Sequence, residues 1–407
     1  MNITNVTDGI TRITTNVENI LFEGFWDLPH GVSLNSYIIK GEKTAIVDGV
    51  LCYSDLSEHF KEALNKADVT LETVDYLIIN HMEPDHSGWI STLEKLNPKA
   101  KILCSQKSAA LLDAFFEHTK NIEIVKEGDT VDLGAGRVLQ FIDIPNVHWP
   151  DTIATFDTLS GTLFSCDAFG SYGNVHADGY DDMLDEKALD FYESEALRYY
   201  ANIIAAFSLF VDKAVDKCRA LPIKIIAPGH GIVWRKDPKR IIDDYARYAS
   251  YQKGPCKKEA TLLWGTMYGM TGKAVSVIID EFKKANIPLH IHNVSEDTWS
   301  HMLASVWKSQ GVVLAMPTYE YKMYPPMAAV LEEICRKKAL NRLAFRTGSY
   351  GWSGGAQKDL EEMMTRYRTG WDFIEPVEFN GNAKAADIES IRKGCQSLIE
   401  KINQTGN

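Results

Sequence analysis

The chain has 407 residues, 45% hydrophobic and 24% charged, with a net charge of −12 and a pI near 5.4. That length exceeds one ordinary core, so two domains are expected, and the acidic balance argues against nucleic acid as a main partner. No apolar run reaches membrane-spanning length, and the polar start MNITNVTDGITRITTNVENI has no signal-peptide core, so a cytoplasmic protein with no membrane partner is expected.

In chain order, SYIIKGEKTAIVDGV (36–50) reads as a hairpin around a Gly-Glu-Lys turn. TVDYLIIN (73–80) reads as a buried strand, and HMEPDH follows it at once, with His81, Glu83, Asp85 and His86. RVLQFIDI (137–144) is a strand whose following loop carries His148. TLFSCD (162–167) ends a strand at Asp167, and IKIIAP (223–228) ends one just before His230, which stands between two glycines. Ser87 and Asp151 read as turn or capping residues. The basic stretch WRKDPKR (234–240) reads as a solvated helix start. Tyr199 and Tyr200, in LRYYANI, are either hydroxyls close to the acid–histidine cluster or packed helix aromatics.

A lone histidine in a loop is usually a surface residue. Here a His or Asp appears at each of four strand ends, and loops leaving one layered scaffold can converge. Seven candidate ligands are too many for one tetrahedral zinc. They suit two metals with a carboxylate between them. A carboxylate and imidazole set without thiolate favours iron or manganese over zinc. Metals paired in this way sit roughly 3.5–4 Å apart, close enough to hold both ends of a diatomic molecule. The seven cysteines (Cys52, Cys104, Cys166, Cys218, Cys256, Cys335 and Cys395) are scattered and form no C-x-x-C pair. A disulfide framework and a cysteine-ligated metal are therefore not expected, and an electron carrier built on such a metal would be a separate protein.

Gly254-Pro255 suggests a linker, giving domains 1–253 and 254–407. Beyond it strands and helices alternate. ATLLWG (260–265) precedes the helix 272–285, GVVLAMP (311–317) precedes 325–338, and RLAFRTGS (342–349) precedes 356–368. That beat implies an α/β fold with a doubly wound parallel sheet. Between the first strand and helix lie Thr266, Met267, Tyr268, Gly269, Met270 and Thr271, whose T-x-x-G-x-T spacing places hydroxyls and N–H groups at a helix start, an anion site. No lysine stands in P-loop position. Two later loops, Pro317, Thr318, Tyr319 and Glu320, then Ser349, Tyr350, Gly351, Trp352, Ser353 and Gly354, offer aromatics beside glycines, suited to a planar ring.

The first half resembles the metallo-β-lactamase fold, an αββα sandwich whose zinc hydrolases carry H-x-H-x-D-H. Glu83 stands where the second histidine would be, and that variant resembles the flavodiiron proteins. TMYGMT resembles the phosphate loop of flavodoxins, while PTY and SYGWSGGA resemble the second and third flavin loops of flavodiiron proteins. The resemblance runs from about Asn35 onward. It implies FMN and two iron ions per chain. His81, Glu83 and His148 would bind one iron, Asp85, His86 and His230 the other, and Asp167 would bridge. It also implies reduction of O₂ to water or of NO to N₂O, and a head-to-tail homodimer or a dimer of dimers. The C-terminal KINQTGN carries no rubredoxin-like segment, so an external donor is expected, with rubredoxin first. Gly265, Met316 and Glu320 depart from the family pattern and bear on flavin tuning, and His86 is a variable ligand there. A zinc hydrolase fused to a flavodoxin, and an electron-transfer flavodoxin with an inactive lactamase-like domain, are the rival readings.

Overall fold

The computed structural model describes residues 1–49, 56–90, 92 and 97–405; Cys52 and the last residues of KINQTGN, Gly406 and Asn407, lie outside them, as does Val50 at the end of the expected hairpin. The chain divides into two compact units, Met1–Ala246 and a second beginning at Arg247. The division falls within the helix Pro238–Ser250, a few residues before Gly254-Pro255.

Short apolar runs make the first unit's strands. β1 (Asn2–Thr7), β2 (Ile10–Val17), β5 (Val32–Lys40), β6 (Thr44–Val47), β7 (Tyr76–Ile79), β8 (Lys101–Cys104) and β9 (Ile122–Ile124) form one sheet in that order. β10 (Thr130–Asp132), β11 (Val138–Asp143), β12 (Ile153–Asp157), β13 (Thr162–Cys166) and β14 (Ile225–Pro228) form a second. Successive side chains point to opposite faces of a strand. Tyr37, Ile39, Ala45, Val47 and Ile78 therefore face Leu139, Phe141, Ile153, Phe164 and Ala227 of the other sheet. Ile38, Ile46, Leu77 and Ile79 face outward and pack with Phe60, Leu64 and Leu112 on the covering helices. Burial on both faces is why these strands read as unbroken apolar runs. Each buried Val, Leu, Ile or Phe among them contributes about 1.5–3 kcal/mol of transfer free energy. The polar N-terminus, which showed no strand pattern, pairs as the antiparallel β1–β2 ribbon at the edge of the first sheet. A small hairpin, β3 (Leu21–Phe22) with β4 (Trp26–Asp27), follows it.

The second unit is a five-stranded parallel sheet. β15 (Lys257–Trp264), β16 (Leu289–Asn293), β17 (Ser309–Ala315), β20 (Leu343–Tyr350) and β21 (Asp372–Asn380) run in the order β16-β15-β17-β20-β21. That is the flavodoxin-like order of a doubly wound sheet. The sequence pattern missed both edge strands, β16 and β21, because they are only half buried and lack a continuous apolar run. Helices Gly272–Lys284 and Ala385–Gln404 cover one face through Ile278, Phe282, Ile391 and Leu398. Between β17 and the next helix, β18 (Thr318–Tyr319) and β19 (Lys322–Met323) make a hairpin. Its turn residues Glu320 and Tyr321 both have positive φ, as a type I′ turn requires.

Six described cysteines are free and buried, and no helix among the described residues is long and apolar enough to cross a membrane. At Gly348, on β20, an added Cβ would lie 1.7 Å from the Met316 carbonyl oxygen. Gly348→Ala should cost about 1–3 kcal/mol or more through forced backbone shifts. In calorimetry the second unit's transition should fall while the first unit's stays in place; an unmoved transition would show that the two backbones do not approach so closely.

Candidate metal centre and flavin cleft

The four candidate ligand segments leave the strands at one end of the sandwich. Asn80, at the end of β7, binds across to the second sheet: its Nδ2 donates to Phe164 O, its carbonyl accepts from Ile153 N, and its Oδ1 accepts from Thr155. Asn35 does the same beside β14, donating to Pro228 O and Gly231 O. These two buried amides fix where His81 and His230 leave their sheets. Parallel pairing of β13 with β14 sets Cys166 beside Pro228, and so brings Asp167 near His230. Pro84 starts a single helical turn, Pro84–Ser87, that carries Asp85 and His86. Ser87 Oγ holds that turn by donating to Met82 O and Glu83 O, the structural work expected of it.

All seven candidate ligands come together in two groups. In the first, His81 Nε2 lies 3.3 Å and His148 Nε2 3.0 Å from Glu83 Oε2, and each is 3.4 Å from Asp167 Oδ2. In the second, His230 Nε2 lies 3.3 Å from Asp85 Oδ2 and 3.2 Å from Asp167 Oδ1, and His86 Nε2 lies 3.1 Å from the same Asp167 oxygen. Asp167 thus presents one oxygen to each group. Ligand atoms about 3 Å apart are what a shared cation at roughly 2.0–2.2 Å demands.

The cluster is nearly dry: His81 is 0% exposed, Asp167 and His230 1%. Asp85 Oδ1 and Oδ2, Asp167 Oδ2 and His230 Nε2 are buried without a hydrogen-bond partner, which native proteins avoid unless something else occupies them. Burial opposes the Asp167 charge, yet His86, His230 and His81 hold its carboxyl well below the usual range. Burial likewise opposes a charged His81, but Asp151, Glu83 and Asp167 outweigh it and raise the imidazole to about 10. Cations in these two groups would take over the charge that protons otherwise supply. The residues fit a pair of them.

The structure separates the two tyrosines. Tyr199 OH donates to Asp167 Oδ1 at 3.1 Å, and burial together with the Asp167 charge keeps that hydroxyl protonated. Tyr200 turns away and bonds Ser208 Oγ. Asp151 does more than close a turn. Its Oδ2 accepts from Met82 N and Ser108 Oγ, and its Oδ1 lies 3.4 Å from His81 Nδ1, so it orients that ring. Nothing in WPD distinguishes such a carboxylate from a capping one. An apolar cavity of about 200 Å³, lined by Val17, Ile20, Leu21, Phe22, Val32 and Leu34, reaches Glu83 and Asp85. Phe22 also meets the His230 ring edge-on.

In the second unit the three loops line one cleft of about 360 Å³, a ligand-sized space. Met267, Tyr268, Met270, Pro317, Thr318, Tyr319, Glu320, Ser349, Tyr350, Gly351, Trp352 and Ser353 all border it. Tyr268 and Trp352 are 85% and 81% exposed, an apolar rim that a flat aromatic ligand would cover. The other four expected residues do not line it. Thr266 Oγ1 accepts from Gly269 N, Gly269 takes positive φ, and Gly354 lies beside Glu378. Thr271 is fully buried with its hydroxyl 3.5 Å from Ser349 Oγ, so it joins the first and third loops. Gly265 has a packing reason, since a Cβ there would lie 2.7 Å from the Tyr324 ring.

Residues 32–231 match the family model described as ODP family beta lactamase. The chain is 34% identical over 364 residues to a nitric oxide reductase of Moorella thermoacetica, covering 88% of each. It is 37% identical to the anaerobic nitric oxide reductase flavorubredoxin of Pectobacterium atrosepticum, covering 83% of this chain and 64% of that longer protein. The chain belongs to the flavodiiron protein family. A variant of the flavo di-iron protein from Thermotoga maritima superposes with a TM-score of 0.88 at 26% identity, over 98% of both chains. The rubredoxin oxygen:oxidoreductase of Desulfovibrio gigas shares the fold, with a TM-score of 0.91 at 24% identity over 99% of both chains. As in these flavodiiron proteins, the architecture is a lactamase-like unit followed by a flavodoxin-like one, and the chain is an oxidoreductase.

Two substitutions test the two sites separately. Asp167→Ala removes an oxygen from each ligand group, so metal analysis should find at least one iron fewer per chain with flavin content unchanged; full iron occupancy would remove Asp167 from the site. A glutamate at Thr271 would bury its charge, whereas exposed Trp352 can be truncated safely. Trp352→Ala should weaken FMN about tenfold, on the order of 1 kcal/mol for one lost aromatic contact. Flavin fluorescence titration of the apoprotein reads this directly, and unchanged affinity would place the ring elsewhere.

Proposed function

We propose that this flavodiiron protein reduces O₂ to water, NO to N₂O, or both, with FMN in the second-unit cleft and two iron ions in the first-unit cluster. One observation carries the assignment of the cluster: Asp167 turns its two oxygens toward two different ligand groups. His81, Glu83 and His148 hold the first iron, Asp85, His86 and His230 the second, and Asp167 bridges. Thr266 to Thr271, Pro317 to Glu320 and Ser349 to Gly354 hold FMN, and Thr271 also ties the first loop to the third. When bound, the irons and the flavin supply the electrons: four, with four protons, for each O₂, or two, with two protons, for each pair of NO.

The chain's own residues do the rest. The three carboxylates offset the metal charge in a space that water barely enters. Tyr199 holds a proton at Asp167 Oδ1, close to where protons are consumed. The apolar cavity beside Glu83 and Asp85 admits small neutral molecules and disfavours charged ones. Rubredoxin or a similar external carrier donates the electrons; the names of the Desulfovibrio and Pectobacterium relatives support a rubredoxin partner. A cytoplasmic, head-to-tail homodimer completes the reading, pairing each flavin with the other chain's irons. Sedimentation should give a dimer, and a fully active monomer would refute that pairing.

Glu83 in place of a second zinc-binding histidine, together with membership of the flavodiiron family, disfavours the zinc hydrolase. The complete ligand set disfavours an inactive lactamase-like domain. The deciding experiment is steady-state consumption of each gas with reduced rubredoxin, alongside iron, zinc and flavin analysis. About two irons and one FMN per chain with turnover of at least one gas is expected, since a two-metal site is what this ligand set builds. A zinc-loaded chain that hydrolyses esters or lactams and reduces neither gas would overturn the proposal.

A further inference from the structure

His86 faces two ways. Its Nε2 points at Asp167 and, 3.7 Å away, at Asp85 Oδ1. Its Nδ1 points away from the ligand groups, 3.5 Å from Asp48 Oδ2 and 3.8 Å from Cys166 Sγ. His86, Asp48 and Cys166 are all nearly inaccessible, and their three donor atoms lie within 4.8 Å of one another. The ring has little room to turn. It packs between His81 and His230, with centroids at 5.5 and 5.1 Å, and a Cβ on Gly229 would come within 2.6 Å of its Cε1. The His86 carbonyl is held by Gly49 N.

The other anchored rings show the same plan. His230 Nδ1 donates to Ser33 O at 2.8 Å, and His81 Nδ1 faces the Asp151 carboxylate. A partner on one nitrogen fixes the tautomer and leaves the other nitrogen's lone pair for a metal. For His86 the anchored acceptor is Asp48, whose Oδ1 already accepts from Asn80 N at 2.8 Å, so the carboxylate cannot swing away. The Cys166 sulfur closes the same side of the ring, 3.8 Å from Nδ1.

We propose that Asp48 is the positioning residue that makes His86 a metal ligand, holding the proton on Nδ1 and presenting the Nε2 lone pair to the group of Asp85, Asp167 and His230, with Cys166 completing the Nδ1 side. The proposal rests on the diiron reading of that cluster. It separates the acceptor that orients His86 from the ligands themselves, and it makes occupancy of the second metal position depend on a residue 38 positions upstream in the chain, on the loop after β6.

Asp48→Asn is the informative change. An asparagine can keep its oxygen on Asn80 N while presenting an NH₂ to His86 Nδ1. Two donors then face each other, which drives the ring proton to Nε2, where it blocks the metal. Anaerobic Fe²⁺ titration should show the second equivalent weakened by about 10–100-fold and the first nearly unchanged. Mössbauer spectra at limiting iron should show one doublet losing intensity. The double variant Asp48→Asn with His86→Ala should bind iron as His86→Ala does alone, because Asp48 acts through His86. Additive losses, or two tight equivalents in Asp48→Asn, would overturn the proposal.

A measurement on the unmutated protein guards against a variant that fails to fold. With zinc in place of iron and ¹⁵N-labelled histidine, NMR should find the His86 proton on Nδ1 and the metal on Nε2. The reverse tautomer, or a metal-free His86 in a fully loaded protein, would equally overturn it. Wild-type protein that binds no metal pair at all would instead defeat the diiron reading, so the two failures are distinguishable.

Discussion

Three carboxylates, Glu83, Asp85 and Asp167, converge in a space that water scarcely reaches, and the rest of the first unit is arranged around that constraint. A buried, unpaired carboxylate is expensive, and proximity of three multiplies the cost. The surrounding histidines supply partial relief, and the neighbouring acids raise His81 and His230 above their ordinary range. Cations bound there would supply the remainder. Metal loading would therefore be linked to folding, since whatever binds the native cluster but not the open chain stabilises the native state.

Precision in that cluster comes from outside it. The buried amides of Asn35 and Asn80 tie the two sheets at the ligand-bearing end, where sheet-to-sheet packing alone would leave the strand ends free to slide. Asp151, Ser33 and Asp48 face the outer nitrogens of three histidines. These contacts contribute little apolar burial, but each removes a rotation from a ligand. The flavin cleft is built on the opposite principle. Its walls come from loops after parallel strands, its rim is exposed and aromatic, and Thr271 and Ser349 join the loops from beneath.

Some of this was written locally. HMEPDH names its donors because two imidazoles and two carboxylates fall within six positions directly after a buried strand, and the T-x-x-G-x-T spacing fits a helix start with an anion site. The parallel character of the second unit's sheet followed from the alternating strand and helix beat. Edge strands β16 and β21 escaped because half-buried strands need no continuous apolar run, and the N-terminal ribbon escaped because its outer face is polar.

The sequence by itself determined the chemistry of the ligands, the two-part architecture and the family resemblance, since these depend on residue type and short-range order. Only the tertiary structure decided that Tyr199 rather than Tyr200 meets Asp167, that Thr271 lies beneath the cleft, and that Asp151 and Asp48 stand behind His81 and His86. The physical reason is that orientation is a property of contacts between segments far apart in the chain. Asp48 and His86 come from different strand ends, and Asn80 bonds residues more than 70 positions away. No local pattern encodes which carboxylate will face which nitrogen until the two sheets have closed on each other.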